Sequence, residues 1–189
     1  MANLIGYDAD KASGLFTQGG TMCNLYGYLF GIRKSLKQSK HLGMSVDQDF
    51  RIINSQGGHY SNMTNLSLLG VDITNKTIRI RVTSDNTIDL ADLEQQIRAC
   101  YTVHCKIPVI LLTAGTTDTF GVDEIKQVYD LRNRLCEEFE ITENRIFTWM
   151  RRSAGRLFSL LIMILIPTRW RLTMPPWLVC VTMWRNLNS

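Results

Sequence analysis

Three short stretches of this 189-residue chain carry residue types suited to holding a polar ligand: FTQGGT at 16–21, GGHYS at 57–61 and TAGTT at 113–117. Gly19-Gly20-Thr21 opening a helix is a candidate anion cradle. Glycine lets a ligand approach the backbone, and the free N–H groups of a first helical turn point at it with the dipole behind them. A GG turn before a helix is, by itself, more often only a turn. His59 can serve as a base, a metal ligand or a flat stacking surface, against the plainer reading of a loop histidine bonded to backbone. The threonines at 113–117 can offer hydroxyls to a ligand or simply end a strand. Cys100, His104 and Cys105 lie close together, but no fourth ligand stands at a recognisable spacing. Reduced thiols in a cytoplasmic protein, with no metal, are therefore expected.

These stretches need elements to position them. The run TMCNLYGYLFGIRKSL after the GG turn places Leu25, Leu29 and Ile32 at helical spacing, with Arg33 and Lys34 near the end that the dipole favours for cations. DFRIINS (49–55) is a strand candidate, and HYSNMTNLSLLG (59–70) reads as a helix stopped by Gly70. TIRIRVT (77–83) alternates like a strand with one buried face. Asp89 is expected to cap the helix LADLEQQIRACY. IPVILLT (107–113) is a continuous apolar run, the pattern of a strand buried on both faces. Asp123 is expected to cap a helix through Glu138, and ITENRIF (141–147) begins one more strand. Strand and helix alternating at this rhythm predict an α/β fold, a mostly parallel sheet with flanking helices. Ligands of such sheets sit in the loops after the strands, where the three stretches fall.

Charge divides the chain. Residues 148–189 contain no Asp, Glu or Lys, but six Arg and all four Trp. Those arginines more than account for the formal charge of +4, leaving the first 147 residues at −2. A basic surface for nucleic acid is thus not a property of the body. The N-terminus carries acids and no apolar core, so it does not read as a signal peptide.

Taken together in this order, FTQGGTMCNL, HYSNMTNLSLLGV and ILLTAGTTDTFGVDEI resemble the group II pyridoxal-phosphate-dependent decarboxylases, the family of the glutamate and aromatic amino acid decarboxylases. The resemblance spans residues 3–147. It implies a partial large domain of the type I, aminotransferase-like fold over 1–147, and pyridoxal 5'-phosphate as cofactor. It further implies that Gly20 and Thr21 form the phosphate-binding turn, that His59 stacks on the pyridine face, and that the Thr117 hydroxyl reaches the cofactor region. Gln18 and Leu112 depart from the family's usual residues. An amino acid substrate, acidic such as glutamate or aspartate, and a homodimeric, cytoplasmic parent enzyme are implied as well.

Two groups that this chemistry requires are missing. The family's carboxylate for the pyridine nitrogen lies in His-Val-Asp-Ala-Ala on the strand after the helix ending here near Glu138, and its Schiff-base lysine lies further on. Here RIF is followed by TWMRRSAG, and no lysine follows Lys126. The genetic code offers a reason. Trp149-Met150 must be encoded TGG ATG, and a shift by one base turns the last G and the following AT into an Asp codon. Phe147, Thr148, Arg151 and Arg152 permit His-Val before that Asp and Ala-Ala after it. One added T in the Ile146-Phe147 codons would restore the family motif. Residues 148–189 are therefore expected to be an out-of-frame tail with no native domain, on a fragment that is inactive as written.

A rival reading takes the tail as real. LFSLLIMILIP is eleven residues between Arg clusters, short of the roughly 20 needed to span a bilayer. It would lie in a membrane interface and make the chain a non-enzymatic peripheral membrane-binding protein. That account explains the composition but not the hidden motif, and no membrane partner is expected.

Overall fold

The structure, a computed structural model, describes residues 14–44, 49–115, 121–141, 146–151, 159–165 and 177–182. Seven strands form one sheet in the order β1-β7-β6-β5-β4-β2-β3. They are β1 (Gly14–Phe16), β2 (Ile52–Ser55), β3 (Thr77–Ile80), β4 (Ile110–Ala114), β5 (Ile146–Arg151), β6 (Ser159–Leu165) and β7 (Trp177–Thr182). β2 pairs in parallel with β3 and β4, β4 with β5, and β1 with β7. Only β6 runs against its neighbours, pairing antiparallel with both β5 and β7. The helices are α1 (Gly19–Ser35), the short α2 (Ser39–Leu42), α3 (Ser61–Leu68), α4 (Leu90–Thr102) and α5 (Ile125–Glu138). The fold is α/β, with parallel strands flanked by helices as the sequence predicts.

The apolar run 107–113 is buried throughout and serves two cores. Ile110 and Leu112 point with Ile53 and Ile80 into a cluster that includes Leu93 and Ile97 of α4 and Val128 and Leu135 of α5. Val109 and Leu111 point the other way with Ile52, against Tyr28 and Ile32 of α1 and Leu66 of α3. Alternation along a strand sends successive side chains to opposite faces, so Ile52 and Ile53 of β2 and the apolar residues 110–112 of β4 are divided between the two cores.

Local signals fix several element ends. The Asp89 carboxylate accepts from Ala91 N at 2.9 Å and Asp92 N at 3.2 Å, capping α4 as expected. Gly70 takes the left-handed φ of 73° just beyond α3, where a side chain would be strained. Two expectations are corrected. In α1 the buried face is Cys23, Asn24, Gly27, Tyr28, Gly31 and Ile32, while Leu25 and Leu29 are only half-buried. Asp123 does not cap α5: its carboxylate accepts from Ile88 N and Thr113 N, both at 2.7 Å. Asp123 N also donates to Thr113 O at 2.8 Å, so the residue is a strap across the end of β4. The expected limit at residue 147 falls inside β5. Pairing there is made by backbone groups, which ask only for an extended run.

Candidate functional site

Because β1, β2 and β4 run the same way, their carboxyl ends share one edge of the sheet, and the chain leaves each of them into one of the three stretches. From β1, Thr17 and Gln18 lead into α1. Gln18 gives no side-chain cap, and the first turn holds no acidic residue. Gly19 has φ 76°, a conformation that favours glycine. A Cβ at Gly19 or Gly20 would meet nothing within 4 Å among the described residues. The first turn of α1 is therefore an open row of amides with room for an anion, and Thr21 is exposed beside it.

From β2 the chain turns through 56–60 into α3. Gly58 sits in a tight place, because a Cβ would lie 2.8 Å from Asn62 Nδ2 and 3.1 Å from Ser55 O and would have to displace the Asn62 side chain. His59 is half-buried, and its Nδ1 lies 2.7 Å from Ser61 Oγ and accepts from Ser61 N at 3.2 Å. An accepting Nδ1 assigns the proton of the neutral ring to Nε2. The ring also lies 4.2 Å from that of Tyr60, tilted by 36°.

Two asparagine contacts hold these segments side by side. Asn65 Nδ2 of α3 donates to Thr21 O in the first turn of α1 at 2.8 Å, and Asn24 Nδ2 donates to Asn62 Oδ1 at 3.0 Å. Gly20, Thr21 and the segment carrying His59 are thus brought to one place. Thr117 lies outside the described residues. The third stretch contributes Thr113, which is buried on the same face as Leu111, since alternate residues of a strand share a face.

Sequence reasoning missed the polar lining beneath α1. Asn54, at the end of β2, accepts a hydrogen bond from Tyr28 Oη at 2.5 Å. Its Nδ2, like Thr113 Oγ1, Asn24 Oδ1 and Asn65 Oδ1, is buried without a hydrogen-bond partner among the described residues. Such groups are costly to bury, and the signal available was a polar residue closing each apolar run, Asn54 in IINS and Thr113 in ILLT. Spare donors and acceptors beneath α1, with an open row of amides at its start, fit a polar ligand that carries an anionic group such as a phosphate. The Cys100–His104–Cys105 group makes no three-ligand arrangement: His104 is exposed with φ 55°, and among the described residues no three His, Cys, Asp or Glu side chains are arranged to hold a metal. No described helix is long and apolar enough to cross a membrane.

No family model matches the chain. Over 143 residues it is 26% identical to an L-2,4-diaminobutyrate decarboxylase of Acinetobacter baumannii, covering 69% of this chain and 28% of that protein. The chain thus spans less than a third of that relative's length. Among solved structures it is similar to mouse CSAD, with a TM-score of 0.62 and 21% identity over 78% of this chain and 29% of that one. It also resembles Oryza sativa TDC with PLP, at a TM-score of 0.56 and 17% identity over 70% of this chain and 32% of that one. A third likeness is to the glutamate decarboxylase domain of a Vibrio parahaemolyticus protein, at a TM-score of 0.52 and 22% identity over 66% of this chain and 27% of that one. The fold is the one these solved structures share, and the sequence likeness is to a diaminobutyrate decarboxylase.

Proposed function

We propose that residues 1–147 carry the phosphate-and-ring half of the cofactor site of a pyridoxal-phosphate-dependent amino acid decarboxylase, and that residues 148–189 are translated out of frame. The observation that carries the first part is the pinning of the first turn of α1 to α3 by Asn65 and by the Asn24–Asn62 pair, on the edge where β1 and β2 end. The amides at Gly20 and the hydroxyl of Thr21 hold the cofactor phosphate. His59 lies against the pyridine ring, oriented through Nδ1 by Ser61. The hydroxyl of Thr117 completes this half of the site. When bound, pyridoxal phosphate supplies the electron sink for the pair left behind as carbon dioxide departs.

The chain as written lacks the remaining chemistry. No lysine follows Lys126, and no acid stands beyond residue 147. It is inactive in this frame. The intact parent is a homodimeric, cytoplasmic carbon–carbon lyase. Its substrate is an acidic amino acid such as glutamate or aspartate. A diamino acid is the second reading, favoured by the name of the diaminobutyrate relative.

The test starts with an independent DNA read of the codons for residues 140–189. The expected result is His-Val-Asp-Ala-Ala in the shifted frame over residues 147–152. A shifted frame without the His codon before the forced Asp codon sinks the frame argument. Both frames are then expressed with pyridoxal phosphate and offered glutamate, aspartate and 2,4-diaminobutyrate. No carbon dioxide release is expected from the chain as written, and release is expected from the restored frame once the expressed gene extends through the Schiff-base lysine codon. Release from the chain as written would overturn the inactive reading.

A further inference from the structure

The C-terminus of α4 brings together two thiols that the decarboxylase reading leaves unused. Cys105 N donates to Cys100 O at 2.9 Å and His104 N to Tyr101 O at 3.0 Å, with His104 in the left-handed region at φ 55°. These are the paired bonds of a Schellman cap. That motif sets the residue after the left-handed one against the side chain five positions before it. Here those two residues are Cys105 and Cys100, and both side chains lie in the same buried cluster. Both are free and buried. Arg51 Nη1 lies 3.9 Å from Cys105 Sγ, Asp49 Oδ1 lies 3.6 Å from it, and both of these side chains reach solvent.

We propose that Cys100 and Cys105 form a two-electron oxidation site, at which hydrogen peroxide converts the pair to an intramolecular disulfide that locks the C-terminal cap of α4. The Cys100 thiolate attacks one peroxide oxygen and the O–O bond breaks. With one proton taken up, the products are Cys100 sulfenic acid and water. The Cys105 thiol then attacks that sulfur, the S–O bond breaks, and a second water leaves with the thiol proton. Two thiols and one peroxide thus give one disulfide and two waters. Cys100 is the attacking group. The hydrogen bond from Cys105 lowers its pKa, and the Arg51 charge acts in the same direction against burial. Cys105, the donor, is pushed well up, first by that hydrogen bond and then by burial. The lock also bears on the sheet. Lys106 follows directly, its N donating to Asp49 O at 3.2 Å and its carbonyl accepting from Arg51 N at 2.8 Å at the entry to β2.

Arg98 and Lys106 place both cysteines in one tryptic peptide, 99–106. The full chain is treated with one equivalent of hydrogen peroxide, in native buffer and in urea, then alkylated under denaturing conditions and digested. Peptide 99–106 is expected two hydrogens lighter and without alkyl groups. Its formation is expected to be several-fold faster in native buffer, where the cap holds the two side chains together and the Cys100 pKa is lowered. Cys23 and Cys136 should remain alkylatable. Two alkyl groups on peptide 99–106, or equal rates in the two buffers, overturn the proposal. With the thiol trap dimedone, Cys105→Ser is expected to accumulate an adduct at Cys100, and Cys100→Ser several-fold less at Cys105. The reverse order overturns the assignment of Cys100 as the attacking thiol.

Discussion

Strands β2 and β4 and strands β6 and β7 lie in one sheet, yet they are assembled from different material. β2 and β4 present an apolar side chain to each of two cores, each core roofed by two helices, and α4 between them is capped by Asp89. β6 and β7 come from a segment without a single acid or lysine, and they pair antiparallel in a sheet that is otherwise parallel. A hydrogen-bond ladder accepts any extended run, because the groups that form it belong to the backbone. A two-sided core is more demanding. It needs matched residues on both faces of the strand and on the helices that cover it. Strand pairing alone is therefore a weak sign of an evolved segment, and a two-sided core is a strong one.

The contrast can be broken or sharpened by substitution. The largest loss is expected for Leu112→Ala, which empties a fully buried position facing α4 and α5. It should cost about 2–5 kcal/mol in urea unfolding. A smaller loss would show that the body is as loosely assembled as the tail.

Asp123→Ala comes next. It orphans the amides of Ile88 and Thr113, at about 1–3 kcal/mol for each buried donor. Burial also raises the Asp123 pKa, against the pull of those two amides. Between the ordinary carboxylate pKa and this raised value, the folded chain binds more protons than the unfolded one. The Asp123 contribution is then fully present below the unfolded pKa and is lost as pH rises through the folded one. Asp123→Asn should flatten that part of the stability–pH curve, and an unchanged slope would reject the assignment.

Asp89→Ala removes the α4 cap, for about 1 kcal/mol and faster amide exchange confined to the first turn of that helix. The smallest effect belongs to the tail. A composition-preserving shuffle of residues 152–189 should change the unfolding free energy of the body by less than about 0.5 kcal/mol, the range of substitutions that touch no packed feature. A larger loss would mean that β6 and β7 are packed as specifically as β2 and β4.

Much of this architecture was legible in the residues alone. The unbroken apolar run at 107–113 required a strand with two buried faces, Asp89 before an amphipathic stretch required a capped helix, and Gly70 marked where α3 must stop. The three polar stretches and the break in composition at residue 148 were visible without coordinates, because spacing, capping and charge are local properties. Tertiary structure decided what depends on a neighbour. Helical spacing in α1 offered Leu25 and Leu29 as the buried face, but that helix buries Gly27, Tyr28 and Gly31 instead. Periodicity shows that a face exists and not which element will cover it. Asp123 had the position of a helix cap. It became a strap because two amides, one 35 residues away in the chain, lay within its reach. The hold of Asn65 on Thr21 spans 44 residues, and the meeting of Cys100 with Cys105 depends on His104 entering the left-handed region. A buried polar group must find its partner wherever the fold supplies one, and the folded chain alone fixes where that is.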